Sequence, residues 1–107
     1  MKEATITRSG DVLQVRLTCE IDHHTAKTIR EEVDRELRSL KPRLLSMDFS
    51  EVRFMDSSGI GLILGRVNTA EEIGAKIEIR SLSEPLQKLV RMSGIEKLKS
   101  ITVVKGV

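Results

Sequence analysis

The sequence predicts an α/β fold: a single mixed β-sheet of four to five strands with helices packed mainly on one face, in the order β-β-α-β-α-β-α-β, as one domain over residues 1–107. Short segments that alternate apolar and polar residues, such as Leu13-Gln14-Val15-Arg16-Leu17, mark strands with one buried side. Between them run stretches whose apolar residues recur every three to four positions, the stripe of an amphipathic helix. No strand is a continuous apolar run of the kind that a sheet covered on both faces requires, so the helices belong on one face.

Ile6 among threonines, then Leu13, Val15 and Leu17 between Gln14, Arg16 and Thr18, form two strands around the break Ser9-Gly10-Asp11, a β-hairpin. Glu20 to Thr25 is a loop in which Asp22 caps the first helix, whose buried stripe is Ala26, Ile29, Val33, Leu37 and Leu40. On its charged outer face, Glu31 with Arg35 and Asp34 with Arg38 stand at i,i+4, pairs worth about 0.2–0.5 kcal/mol each. Pro42 ends that helix, and Leu45, Met47 and Phe49 alternate with Ser46 and Asp48 as a strand. After Met55 the period changes, and Ile60, Ile63, Leu64 and Val67 mark a second helix that Gly74 breaks. Ile77 and Ile79 form the next one-sided strand; Ser83-Glu84-Pro85 opens a third helix through Leu86, Leu89, Val90 and Met92, stopped at Gly94. Ile95 and Leu98 form a last helical turn before the β-branched final strand Ile101-Thr102-Val103-Val104.

Composition removes several function classes. With 39% hydrophobic and 32% charged residues the chain is neither disordered nor membrane-like. Two Phe, no Trp and no Tyr leave an aliphatic core and no stacking platform for single-stranded nucleic acid. A net charge of +2, with basic residues mixed among acidic ones, lacks the patch of a nucleic-acid binder. The lone Cys19 forms no internal disulfide and reads as a reduced, partly buried thiol. Met1 to Thr5 has no apolar signal region, and no stretch approaches the roughly 18–20 apolar residues of a membrane span, so no membrane association and a cytoplasmic location are expected.

The segment Asp56-Ser57-Ser58-Gly59-Ile60-Gly61-Leu62 opens the second helix. Ser57 reads as the N-cap, its oxygen accepting from orphan backbone N–H groups, and Ser58 then sits in the first turn. A phosphate on Ser58 would meet free N–H groups and the helix dipole, and its charge of about −1.5 to −2 would alter any surface docked there. Leu62 and Arg66 follow Ser58 at helical spacing; Leu62 falls outside the buried stripe and is expected to be exposed. Gly61 and Gly65 either let another surface approach or serve helix-to-sheet packing, and spacing alone leaves both open. A serine pair before a helix is also, in many proteins, only a cap.

His23-His24 lacks the spaced third ligand of a zinc site, and the serine pair lacks the Gly-x-Ser-x-Gly elbow of a hydrolase, so neither metal, cofactor nor catalysis is expected.

Two separated stretches, Phe54 to Leu62 and Leu17 to Ala26, resemble the anti-sigma factor antagonists of spore-forming bacteria, which are STAS domains. The likeness runs over nearly the whole chain and includes Met92-Ser93-Gly94. It implies that Ser58 is a phosphoacceptor and that the partner is an anti-sigma factor with serine kinase activity. That partner binds the unphosphorylated chain, releases its sigma factor, and switches binding off by phosphorylating Ser58 with ATP; a metal-dependent serine phosphatase reverses the step. Sporulation transcription is the process implied. Asp22 matches a family position on the partner surface, and Asp56 orders the start of the second helix. The docking surface expected is Asp22, Asp56, Ser57, Gly59, Gly61, Leu62 and Arg66, with the Asp22 and Asp56 carboxylates adding to the repulsion once Ser58 is phosphorylated. One departure stands out: Thr18-Cys19-Glu20 replaces the family's Thr-Gly-Glu, which puts any glycine-only backbone at position 19 in doubt. The alternatives are a STAS antagonist or scaffold component of a general stress pathway, or a STAS adaptor that is not phosphorylated.

Overall fold

A hairpin with a two-residue turn starts the sheet. Gly10 takes φ +60°, the left-handed backbone that such a turn needs at its first position, and Ser9 faces Val12 across it. The computed structural model describes residues 3–104. β1 (Ala4–Ser9) pairs antiparallel with β2 (Val12–Leu17). Thereafter every strand follows a helix: α1 (His23–Leu40), β3 (Leu44–Asp48), α2 (Ser57–Glu72), β4 (Lys76–Arg80), α3 (Glu84–Ser93), a 3₁₀ turn at Ile95–Lys97, and β5 (Ile101–Val104). The sheet order β1-β2-β3-β4-β5 is the sequence order, and β2 to β5 are parallel. Right-handed crossovers that all step the same way along a sheet put their helices on one face.

The register lines up the inner face in rows. Leu13, Leu45, Ile77 and Ile101 stand side by side, as do Val15, Met47, Ile79 and Val103. Against these rows pack Ile29, Val33 and Leu37 of α1, Ile63 and Val67 of α2, and Leu86 and Val90 of α3, forming one core. The outer face is polar: Thr5, Thr7, Gln14 and Arg16 are exposed, and Ser46 Oγ donates to Glu78 at 2.8 Å. The expected fold, element order and five-strand upper count therefore match.

Three expectations are corrected. The buried face of α2 runs through Gly59, Leu62, Ile63, Arg66 and Val67, so Leu62 is 3% exposed whereas Leu64 is 41% exposed. Apolar residues at 60, 62, 63, 64 and 67 give a blurred stripe, and α2, which packs against the sheet and both flanking helices, uses a different arc of it. Met92 is 77% exposed and lies outside the α3 stripe of Leu86 and Val90. Asp34 does not pair with Arg38 in its own helix; among the described residues it pairs with Arg66 of α2.

That pair spans the α1–α2 interface. Arg66 Nη2 donates to Asp34 Oδ2 at 3.1 Å, and Nε lies 2.7 Å from Oδ1 as a charge contact rather than an aligned hydrogen bond. Burial lowers the guanidinium pKa from its ordinary value and Asp34 opposes that shift. Removing one member strands the other in a desolvated place. Asp34→Ala is therefore expected to cost about 3–5 kcal/mol in urea unfolding, and Asp34→Leu combined with Arg66→Met to recover most of that loss. Equal losses in both variants would deny the pair its linking role.

Candidate functional site

The site begins with a bridge between two loops at the C-terminal ends of the neighbouring strands β2 and β3. Ile21 N–H donates to Phe54 O at 3.0 Å, and Asp56 N–H donates to Ile21 O at 3.2 Å, a parallel bridge between Ile21 and Met55. One residue beyond it on each side stands a capping aspartate. Asp22 Oδ1 accepts from the N–H groups of His24 and Thr25, both at 2.9 Å, while Thr25 Oγ1 accepts from Asp22 N–H at 3.0 Å, a reciprocal capping box on α1. Asp56 Oδ1 accepts from Ser58 N–H at 2.7 Å and caps α2. The two helices thus start side by side.

Ser57 is therefore not the N-cap; it is the first helical residue and exposed. The bridge holds Asp56 in the extended backbone a cap requires, at φ −93° and ψ −168°, and a carboxylate is the stronger acceptor at the positive end of a helix. Ser58 is in the first turn as expected, half-buried. It lines a groove of about 320 Å³ between α1 and α2 together with His23, Ala26, Lys27, Arg30, Gly61 and Leu62. The charged groups of this groove are basic, which sequence spacing did not reveal. The carboxylates of Asp22 and Asp56 do not line it; both accept from backbone N–H groups, Asp56 from that of Ser58 itself.

Leu62 forms part of the groove's lining as a buried side chain, and Arg66 is 3% exposed in its ion pair, so neither presents a free side chain to a partner. Gly59 is fixed by packing: a Cβ there would collide with the Met55 side chain. At Gly61 and Gly65 a Cβ would meet open space, which answers the alternative that they serve internal packing. The solvent face of α2 is Ser57, Gly61, Leu64 and Asn68, and Phe54, 53% exposed, precedes the motif in the bridged loop. The sequence places Leu64 in the buried stripe because its exposure depends on how α2 is rotated, and misses Phe54 because it lies in a loop, where no periodicity tells which way a side chain faces. Lys27 and Arg30 lie at i+4 and i+7 from His23, a shared face visible in the sequence, but nothing in the sequence says what that face meets.

Cys19 does not take the left-handed backbone that favours glycine. Its Sγ donates to Glu3 O at 3.6 Å, and burial, reinforced by Glu3, pushes the thiol pKa up, away from the reactive thiolate. His23 lines the groove with Ser58, yet no hydrogen bond joins them among the described residues. No cluster of three or more metal-ligating side chains occurs among the described residues. No helix there is long and apolar enough to cross a membrane.

Residues 3–104 match the family model of the STAS domain. The anti-sigma F factor antagonist of Paenibacillus polymyxa is 34% identical over 90 residues, covering 84% of this chain and 77% of that one. The anti-sigma-B factor antagonist of Listeria monocytogenes is 28% identical over 100 residues, covering 92% and 86%. The solved structure of the anti-sigma factor antagonist SpoIIAA in its unphosphorylated form superposes with a TM-score of 0.81 at 24% identity, covering 95% of this chain and 88% of that one.

The Asp22 cap sets a pH response. The Thr25 N–H, first among its donors, holds the Asp22 carboxyl below its ordinary value, so the ionised form stabilises the fold above the unfolded pKa and that gain is lost as pH falls through the lower folded value. Asp22→Asn keeps an acceptor and removes the charge. Its stability deficit is expected to be full at pH 7 and to shrink below about pH 4, measured by urea unfolding at both pH values. A deficit independent of pH would remove the carboxylate charge from the account.

Proposed function

The chain belongs to the STAS domain family, among its anti-sigma factor antagonists, and from that membership we propose that it is an antagonist switched by phosphorylation of Ser58. In the unphosphorylated state it binds an anti-sigma factor that is also a serine kinase and so frees a sigma factor. That partner phosphorylates Ser58 with ATP and loses its grip, and a metal-dependent serine phosphatase resets the chain. The nucleotide and the metal belong to those partners. The chain acts as substrate and ligand in the cytoplasm.

The observation that carries this reading is the position of Ser58: half-buried at a groove where two helix N-termini converge, on a backbone already held by the Asp56 cap and the Ile21–Met55 bridge. A phosphate of about −1.5 to −2 charge added there changes the surface and leaves the fold alone. The docking surface includes Asp22, Asp56, Ser57 and Gly61, with Phe54 and Leu64 taking the apolar role first given to Leu62, and with Arg66 removed from it.

Control of sporulation is favoured by the 34% identity to an anti-sigma F factor antagonist. A general-stress role is the second reading, favoured by the anti-sigma-B factor antagonist that aligns over 92% of the chain. Trial against both kinds of anti-sigma kinase separates them.

Intact-mass analysis after incubation with a partner kinase and Mg-ATP is expected to show one added phosphate on the wild type and none on Ser58→Ala, which should stay bound to the partner in the presence of ATP. No phosphate on the wild type, from kinases active on their own antagonists, would overturn the switch. For the surface, Leu64→Glu is expected to weaken partner binding at least about tenfold with an unchanged unfolding midpoint. Leu62→Ala is expected instead to cost about 2–5 kcal/mol of stability. The reverse pattern would return the docking role to Leu62.

A further inference from the structure

We propose that α1 carries a built-in receptor for the phosphate: Lys27 and Arg30 ion-pair a phosphoryl group on Ser58 across the α1–α2 groove, so that the phosphorylated state is closed by an internal salt bridge. The inference rests on the reading of Ser58 as phosphoacceptor and adds to it where the new charge goes.

Three observations support it. The first is geometric. His23, Lys27 and Arg30 occupy one face of α1 and line the same groove as Ser58, and Gly61, with open space where a Cβ would be, leaves the groove unobstructed one turn along. The second concerns charge. Among the described residues neither Lys27 nor Arg30 is in an ion pair, no carboxylate lines the groove, and Asp34 is taken by Arg66. The Asp56 carboxylate stays beside Ser58 as its cap, on the N–H side. Two cations without an ion-pair partner therefore share a groove with a hydroxyl that acquires about two negative charges. The third is the crowding of like charges, since Arg30 is close enough to Arg66 to oppose its charge although the pair there holds only one carboxylate. An anion in the groove relieves that repulsion. Both side chains are exposed and long, so they reach a phosphate without moving the backbone.

The groove also explains how the off state can be stable while remaining local. The phosphate consumes the basic character of the α1 face as well as adding its own charge, so a partner loses two features of the surface at once.

The test uses the full chain with phosphoserine incorporated at position 58 during synthesis, which makes it independent of any kinase. Phosphorus NMR follows the second ionisation of the phosphate as pH is varied. The groups facing it are His23, Lys27 and Arg30 from α1, and the Asp56 carboxylate with the first-turn N–H groups of α2; Asp22 caps the neighbouring helix start. In the otherwise wild-type phosphoprotein the midpoint is expected to fall below the ordinary value of about 6 by about half a pH unit or more. Lys27→Gln with Arg30→Gln should return most of that fall, and Lys27→Arg with Arg30→Lys should preserve it. His23, Asp56 and the helix N–H groups are the same in all three proteins and cancel from the comparison. Identical midpoints in the wild-type and Gln variants would overturn the receptor. That result differs from failure of the phosphoacceptor reading, which shows as absence of added mass after incubation with the kinase.

Discussion

Two hydrogen bonds, from Ile21 N–H to Phe54 O and from Asp56 N–H to Ile21 O, set the frame of the candidate site. They join loops that are 33 positions apart in sequence by 21 to 54 numbering, at the ends of two parallel strands that are already neighbours. Because each loop continues directly into a helix, the bridge fixes both helix starts at once. The extended backbone it imposes on Asp56 makes that residue, and not Ser57, the cap, and Ser58 is thereby fixed in the first turn. A change that loosened the bridge would move the cap, the serine and the groove together.

The second constraint lies farther along the same helices. The Asp34–Arg66 pair holds α1 and α2 together beyond Leu62, so the groove is closed at its base by a buried side chain and held further along by a desolvated ion pair. A pair of this kind contributes little net stability compared with apolar replacement, but it resists wrong alignment of the two helices because any slip strands a charge. That is why a buried arginine in the motif helix matters to the site without being on its surface.

How far the sequence could be read depended on whether a residue's role was local. The hairpin, the α1 stripe, the Asp22 cap and the stop after Leu40 follow from neighbours within one or two turns, and all were legible. The rotation of α2 was not. With apolar residues at 60, 62, 63, 64 and 67, several arcs are equally apolar, and only packing against the sheet and both flanking helices selects the one that buries Leu62 and Arg66 and exposes Leu64. The exchange of cap from Ser57 to Asp56 came from the Ile21 bridge, a contact with no trace in the local sequence. Lys27 and Arg30 stood in plain view as a charged helix face, but that they share a groove with Ser58 follows only from the packing of α1 on α2.

The same geometry constrains what a charge on Ser58 can do. The N–H of Ser58 is already taken by the Asp56 carboxylate at 2.7 Å, so the most direct donor of the helix terminus is occupied before any phosphate arrives. Competition for it would set two anions against each other at one N–H group. A phosphoryl group is therefore better served by turning away from the cap, and the groove on that side offers the Lys27 and Arg30 cations with no carboxylate along its lining. Asp56 starts the helix, and under the proposed phosphorylation its filling of the cap would direct the added negative charge toward α1. In the proposed switch such a division would let the backbone stay fixed while the basic character of the groove is neutralised, so that the switch could be thrown repeatedly without refolding.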